Sequence, residues 1–215
     1  LGHVDRRIQV VTGGLDSGAA SVSPGFSPHP VDLDGPDLVD VLRSTAAGIH
    51  VLPAPRRRLL GMGTIGALDQ LLDRVTSPIL LSRGTAPYRR VLVPVTDSPT
   101  SWRGLELAVD IARLVDARIT ALHVTQPRFL GGSLGEERRA AVEHNVEQVA
   151  RLYNLHFEVR LVEGNSIRTV AEVAQDHQLV VTARQRGQKD SYFSPDVGLR
   201  IALSAPCSSV LLTVA

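Results

Sequence analysis

The chain is poor in cysteine, in aromatic residues and in net charge. Cys207 is its only cysteine, which excludes an internal disulfide framework and a metal site built from several cysteines. Its 23 Lys and Arg residues balance 22 Asp and Glu residues, so no basic excess attracts nucleic acid or an anionic membrane surface. Aromatic residues make up only 4% of the chain, too few for a base-stacking platform. We therefore expect no nucleic-acid partner.

Long apolar runs are also missing. No run approaches the roughly 18–20 apolar residues of a membrane-spanning helix, and no signal peptide is recognisable. The hydrophobic content of 43% is typical of a globular protein. We expect a cytoplasmic location, which includes the cytosolic face of the inner membrane if the chain is part of a membrane protein. The first residue is Leu1 rather than methionine, so we expect a piece of a longer protein.

From residue 87 onward, short apolar runs alternate with amphipathic segments. This alternation predicts an α/β fold with a doubly wound parallel sheet and a ligand crevice at the carboxyl ends of its strands. Ser98 or Thr100 is expected to cap the first helix, and a loop is expected around Gly131, Gly132 and Gly135. The predicted strands are 90–96, 118–124, 155–161, 179–182 and 209–214, and the predicted helices are 102–117, 142–153, 170–174 and 197–205.

The first half repeats part of this order. Residues 48–52 and 77–81 resemble residues 178–182 and 207–211 at a constant offset of 130 positions, and Arg7–Gly13 resembles 159–164. We interpret residues 1–86 as a partial unit that runs from its third strand to its fifth, with a flexible insert at about 16–36 and a helix at 38–44. Residues 87–215 form a complete unit. The final strands, 78–82 and 209–214, are expected to pair edge to edge, as a homodimer or an internal pseudo-dimer.

Three segments resemble the universal stress protein family: 91–101 (VLVPVTDSPTS), 119–124 (ITALHV) and 205–212 (APCSSVLL). The resemblance implies an α/β/α sandwich of the adenine-nucleotide hydrolase-like type. Residues 88–101 further resemble the cytoplasmic C-terminal domains of bacterial cation/proton antiporters. That likeness implies a non-catalytic regulatory domain attached to a membrane transport domain. The alternative is a soluble stress protein that binds ATP, AMP or a cyclic adenine nucleotide.

The family resemblance also indicates candidate binding residues. In nucleotide-binding members, an Asp after the first strand contacts adenosine, and a Gly-x-x-Gly-x9-Gly-Ser/Thr stretch after the fourth strand wraps the phosphates. The matching positions here have lost that pattern, because Asp196 would repel a phosphate and Val197 lacks a hydroxyl. Arg184 and Arg186 are the side chains expected to hold an anion instead. The candidate nucleotide-binding residues are Val95, Thr96, Asp97, Ser98, Val124, Ala183, Arg184, Arg186 and Val197.

Three other motifs suggest further hypotheses. Thr12–Ser17 (TGGLDS) resembles the pyrophosphate loop of ATP pyrophosphatases, but the prolines that follow predict no helix behind it. Asp32–Gly35 is similar to the start of a calcium loop without its final Glu, so helix capping is the favoured reading. Arg56–Arg58 is either a phosphate or acidic-partner contact or a solvated loop. With no nucleophile motif and no metal-ligand spacing, we expect neither catalysis nor a metal.

Overall fold

A computed structural model describes residues 8–12, 29–30, 48–55, 62–83, 87–125, 128–187 and 196–215. The strands in these ranges are β1 (Ile8–Thr12), β2 (His29–Pro30), β3 (Ile49–Pro53), β4 (Ile79–Ser82), β5 (Arg90–Pro94), β6 (Arg118–Thr125), β7 (Phe157–Glu163), β8 (Leu179–Gln185) and β9 (Ser208–Val214). The helices are α1 (Met62–Arg74), α2 (Pro99–Val115), α3 (Arg128–Tyr153), α4 (Ser166–Val173) and α5 (Val197–Ser204), and a 3₁₀ turn (Ala174–Asp176) follows α4. None of these helices combines the length and apolar composition that crossing a membrane requires.

The strands form one sheet in the order β2-β1-β3-β4-β9-β8-β5-β6-β7. Every described pairing is parallel except that of β4 with β9, which is antiparallel and sets Leu80 opposite Val210. The predicted α/β class is confirmed, and the pairing expected between 78–82 and 209–214 is present inside one chain. This pairing joins the two halves of the chain into a continuous sheet.

Helices cover both faces of the second half. Alternate residues of β5 point to opposite faces, because side chains alternate along a strand. Val91 and Val93 pack with the buried residues of α2 and α3, whereas Leu92 packs with α4 and α5. A third cluster joins Leu71 and Leu72 of α1 to the apolar face of α5 across the β4–β9 junction. The layered, doubly wound architecture is therefore as predicted.

Two expectations about the elements are wrong. Helix α3 begins at Arg128 and continues through Gly131, Gly132 and Gly135, where a loop was expected. The strand assigned to the third position of the first unit, β1, lies beside β3. In the second half, β8 lies between the last strand β9 and the first strand β5. In the first half, β3 lies between the last strand β4 and β1 in the same way, so β1 occupies the place of a first strand.

Most of the expected insert lies outside the described residues. Within it only β2 is described, and its two residues pair in parallel with β1. The predicted helix at 38–44, Asp32–Gly35 and Arg56–Arg58 also lie outside the described residues, as does the loop 12–17 apart from Thr12. The proposed domain boundary near residue 86 stays a prediction.

Candidate functional site

The carboxyl end of β5 leads into a polar turn that starts α2. Ser98 has extended backbone and accepts a hydrogen bond from the Ser101 backbone N–H at 3.2 Å, so it is the N-cap, as predicted. The Ser101 hydroxyl in turn accepts from the Thr96 N–H at 2.8 Å. The Thr96 and Ser98 hydroxyl oxygens lie 2.9 Å apart. The hydroxyl groups of Thr96 and Ser98 therefore bond to each other, while the residues Thr96 and Asp97 stay exposed to solvent.

A buried histidine fixes the end of β5 to the neighbouring strand. His123 of β6 lies with its Nδ1 atom 2.8 Å from the Val95 carbonyl oxygen. A carbonyl only accepts, so Nδ1 carries the proton and donates. The Val95 N–H donates to the Leu122 carbonyl at 2.8 Å, which holds the same residue from its other side. Val95 is therefore buried and fixed, and Val124 lies half-buried further along β6.

The carboxyl end of β8 carries an arginine surrounded by acids. The Arg184 side chain is only 4% exposed, and its Nη2 atom lies 2.8 Å from Asp69 Oδ1 and 3.0 Å from Asp73 Oδ1. Its Nε contacts Asp196 Oδ2, and its Nη1 donates to the Asp69 carbonyl oxygen at 3.3 Å. Three carboxylates, two on α1 and one at the N-cap of α5, therefore hold one guanidinium. We call Arg184, Asp69, Asp73 and Asp196 the arginine cluster.

The arginine cluster bears on one expectation about the site. Arg184 was expected to hold a free anion, but its buried guanidinium is already bound by carboxylates of this chain. Asp196 is also the N-cap of α5, where its Oδ1 accepts from the Leu199 N–H at 3.1 Å. A helix N-terminus favours an anion, and here a side-chain carboxylate already lies at that position.

Two glycines let helices approach β8 very closely. A Cβ on Gly198 of α5 would lie 2.8 Å from Thr182 Oγ1 and 2.9 Å from the Ala183 carbonyl oxygen. A Cβ on Gly104 of α2 would lie 3.3 Å from the Ala183 Cβ on the opposite side. Ala183 is therefore enclosed by both helices at the place where the family's pattern has its first glycine.

The remaining candidates are spread along this edge. Arg186 is half-buried, and its Nη2 donates to the Val75 carbonyl oxygen at 3.5 Å beyond the end of α1. Val197, the first residue of α5, is 49% exposed. Thus Ala183, Arg184 and Val197 lie close to the arginine cluster, whereas Thr96, Asp97 and Ser98 belong to the separate turn after β5. Their role as ligand-binding residues stays a prediction.

Sequence reasoning did not identify two members of the site, Asp69 and Asp73. Both lie on α1, four residues apart, so they face the same side of that helix. That spacing is a visible signal, but their partner is 111 residues away or more. Only the pairing of β4 with β9 brings α1 beside Arg184. Among the described residues, no group of three or more His, Cys, Asp or Glu side chains is arranged to hold a metal ion.

The lone cysteine takes no part in this edge. Cys207 lies half-buried before β9, and burial raises the pKa of its thiol to about 11. A thiol with such a pKa is protonated near neutral pH and is a poor nucleophile. We therefore treat Cys207 as a small apolar side chain.

A protein-family model and several solved structures resemble this chain. A family model described as the universal stress protein family matches residues 87–213. A functionally unknown protein from Pseudomonas aeruginosa PAO1 superposes with a TM-score of 0.68 at 11% identity, over 97% of this chain and 93% of that one. A universal stress protein from Archaeoglobus fulgidus DSM 4304 gives a TM-score of 0.68 at 12% identity, over 88% and 72%. Universal stress protein UspA from Lactobacillus plantarum gives a TM-score of 0.51 at 19% identity, over 61% and 100%. A search of curated proteins gave no match.

Proposed function

The chain belongs to the universal stress protein family, through its residues 87–213, and on that premise we propose that it is a non-catalytic regulatory domain. We further propose that it is the cytosolic tail of a cation/proton antiporter. The observation that carries the regulatory assignment is the arginine cluster, because a carboxylate of the chain lies at the helix N-terminus where a nucleotide phosphate would otherwise be favoured. The likeness of residues 88–101 to antiporter tails supports the narrower assignment.

Contacts at both ends of α5 support a role in transmitting change between the two halves. At its start, Asp196 reaches the carboxylates of α1 through Arg184. At its end, Arg83 of the first half donates to the Ala202 carbonyl oxygen at 2.7 Å and to that of Leu203 at 3.0 Å. A shift of either half therefore changes the contacts of α5. Such a coupled element can bias an attached domain between two states.

The antiporter assignment is tested on the full-length gene product. Proton–cation exchange is measured in everted membrane vesicles with the whole protein and with residues 1–215 removed. We expect exchange to persist without the tail but to lose its normal dependence on pH or cation concentration. A gene that encodes no membrane domain with this chain, or an unchanged dependence after removal, would contradict the proposal.

Point variants show whether the arginine cluster transmits the effect. In the full-length protein, Arg184→Leu should reproduce the altered dependence of the tail deletion. Arg168→Leu is the matched control, because that arginine lies exposed on α4 and pairs with Glu172 at 2.8 Å. Equal effects of both variants would contradict a specific role of the cluster, and membrane-fraction immunoblots confirm equal protein levels.

A soluble nucleotide-binding protein is the second candidate function. It is favoured by the exposed Thr96 and Asp97 at the start of α2, an edge where ligands bind in doubly wound sheets. Calorimetry with ATP, AMP and cyclic AMP at millimolar concentration separates the two proposals. The regulatory proposal expects no binding heat, whereas heat that is lost in Asp97→Asn would favour the nucleotide-binding alternative.

An enzyme of the ATP pyrophosphatase type is a third hypothesis. It depends on Thr12–Ser17, of which the structure describes only Thr12 at the end of β1. The non-catalytic proposal expects no release of pyrophosphate from ATP. If such activity were found and Asp16→Ala abolished it, the proposal of a non-catalytic domain would be wrong.

We also propose that the β4–β9 pairing serves as an internal pseudo-dimer. The antiparallel pairing covers the edges of both strands within one chain, which leaves no free edge there for a second copy. Light scattering during gel filtration of the isolated chain should then give a monomer of 23.1 kDa. A stable dimer would contradict this proposal.

A further inference from the structure

A second polar network lies at the opposite end of the same sheet, beneath α4. His177, which follows the 3₁₀ turn, places its Nε2 atom 3.0 Å from the Thr120 hydroxyl of β6. That hydroxyl lies 3.2 Å from Glu158 Oε2 on the edge strand β7. His177 and Thr120 are both 5% exposed, whereas Glu158 reaches solvent. The three side chains form a continuous path from the interior to the surface.

While His177 is neutral, this path has one proton too few for all its hydrogen bonds. His177 Nδ1 lies 2.9 Å from the Val173 carbonyl oxygen, so Nδ1 must donate. In a neutral imidazole Nε2 then has no proton and accepts from Thr120. Thr120 has a single hydroxyl proton, so it cannot also donate to Glu158. An ionised carboxylate brings no proton of its own, and the Thr120–Glu158 bond is therefore unmade.

Protonation of His177 removes the competition. Nε2 then donates to the Thr120 oxygen, and the hydroxyl proton becomes available for Glu158. We propose that His177, Thr120 and Glu158 form a proton-operated switch, in which proton uptake by His177 turns the Thr120 hydroxyl from the histidine to the carboxylate. This inference concerns the chain itself and does not depend on the proposed attachment to an antiporter.

The charged groups around His177 define when the switch operates. Burial is the main cause that lowers the pKa of His177, Arg90 of β5 and Arg160 of β7 lower it further, and the Val173 carbonyl and Asp176 of the 3₁₀ turn raise it. The switch therefore responds to acid rather than to alkali. Arg160 holds the pKa of Glu158 below its usual value, with its Nε 2.7 Å from Glu158 Oε1. Glu158 thus stays an ionised acceptor to a lower pH than an ordinary glutamate does.

The switch connects two structural elements to the central sheet. Val173 is the last residue of α4, and a positive charge is favourable at a helix carboxyl end, so protonation strengthens the contact that holds α4. At the other side, the new Thr120–Glu158 bond ties the edge strand β7 to β6, with which it pairs along its whole length. Proton uptake thus changes the hydrogen bonds that hold α4 and β7 to the central sheet.

The test follows the titration of His177 by NMR. The isolated chain is labelled with ¹⁵N-histidine, and the His177 signals are assigned by their loss in His177→Gln. In the wild-type chain we expect the Nδ1–H tautomer at neutral pH and a titration at acidic pH while the chain is still folded. Glu158→Gln should lower the titration midpoint by roughly half a pH unit, the scale of one hydrogen bond.

A double-mutant comparison separates the hydroxyl relay from simple charge attraction. Thr120→Val removes the hydroxyl but keeps the β-branched shape, and Thr120→Ser keeps the hydroxyl. In the Thr120→Val background, Glu158→Gln should shift the midpoint much less, whereas in the Thr120→Ser background it should shift it as in the wild type. An equal shift in all three backgrounds would overturn the relay, because the carboxylate would then act through space.

Two further outcomes would also overturn the proposal. One is a His177 that stays neutral until the chain unfolds, as followed by circular dichroism over the same pH range. The other is a neutral state with the proton on Nε2, which would remove the competition for the Thr120 hydroxyl. Should Thr120→Val not fold, Thr120→Ala provides the same loss of hydroxyl, and the tautomer measurement needs no variant.

Discussion

The two ends of the sheet each bury a basic side chain, and they treat it in opposite ways. At the carboxyl end, Arg184 is always charged and is surrounded by three carboxylates. At the amino end, the two ring nitrogens of His177 contact a neutral carbonyl and a neutral hydroxyl, and while His177 is neutral its network has one proton too few for all its bonds. In the first arrangement the basic side chain is charged at every pH, and in the second its charge depends on the pH. We call the arginine cluster the rigid joint and the network of His177, Thr120 and Glu158 the responsive joint.

The two ends also differ in which parts of the chain build them. Asp69 and Asp73 belong to α1 in the first half, so the arginine cluster exists only where both halves meet. Thr120, Glu158 and His177 all lie within residues 87–213, the part that matches the family model. The rigid joint is therefore a product of the two-half arrangement, whereas the responsive one needs only the second half.

The largest expected effect comes from removing the charge at the rigid joint. Arg184→Ala leaves Asp69, Asp73 and Asp196 facing one another without a cation, two of them partly buried. Breaking a buried pair from one side costs about 3–5 kcal/mol, because the remaining charge stays uncompensated. Urea unfolding at pH 7, followed by circular dichroism, should show this loss in the free energy of unfolding.

Arg186→Ala is the matched control two residues further along. Among the described residues, its guanidinium makes one long hydrogen bond, to a backbone carbonyl, so its removal should cost about 1 kcal/mol or less. A similar loss for both variants would mean that the cluster has no special role. A small loss for Arg184→Ala would mean that its carboxylates rearrange or take up protons.

The fold was predictable because its signal is local, and the arginine cluster was not because its signal is distant. Alternating apolar runs predicted the parallel sheet, and the Ser98 cap was visible from its hydroxyl and the Pro that follows. Arg184 was predicted as an anion ligand because it lies among the positions that match the family's phosphate-binding stretch, whereas in the structure it belongs to the strand, which runs to Gln185. Its acids become visible only once β4 pairs with β9.

Glycine led to one wrong prediction and concealed one requirement. Gly131, Gly132 and Gly135 favour a loop by their intrinsic preferences, yet the structure continues α3 through them. Gly198 sits in a well-predicted helix where nothing local marks it as special. A side chain at this position would collide with Thr182 and Ala183 of β8. The sequence of α5 alone therefore does not reveal that glycine is required there.

The second prediction tests how closely the carboxyl end is packed. Gly198→Ala places a Cβ within 2.9 Å of the Ala183 carbonyl oxygen and 2.8 Å of Thr182 Oγ1, so α5 must shift. Overpacking of this kind costs about 1–3 kcal/mol. Gly66→Ala in α1 is the control, because a Cβ there meets nothing within 4 Å. Calorimetric melting should show a lower Tm for the first variant and an equal or higher Tm for the second.

The third prediction concerns the polar turn at the same end. Ser98→Ala removes the acceptor for the Ser101 N–H and the partner of the Thr96 hydroxyl, and loss of an N-cap costs about 1 kcal/mol. Ser166→Ala is the control, because Ser166 is exposed and the N-cap of α4 is Asn165. The free energy of unfolding of both variants is measured in urea. Equal losses of this free energy would contradict the capping role of Ser98.

The smallest effect is the one that appears only on changing the pH, and it tests the responsive joint. Folding lowers the pKa of His177 below its unfolded value near 6.5, chiefly through burial. Between those two pKa values the unfolded chain binds more protons, so stability rises with pH. The contribution of His177 is present above pH 6.5 and is lost as the pH falls through this window. Compared with His177→Gln, the wild-type chain should therefore lose more free energy of unfolding on acidification from pH 7.5. Parallel pH dependences of the two chains would mean that folding leaves the pKa of His177 unchanged, which would contradict its lowering by burial.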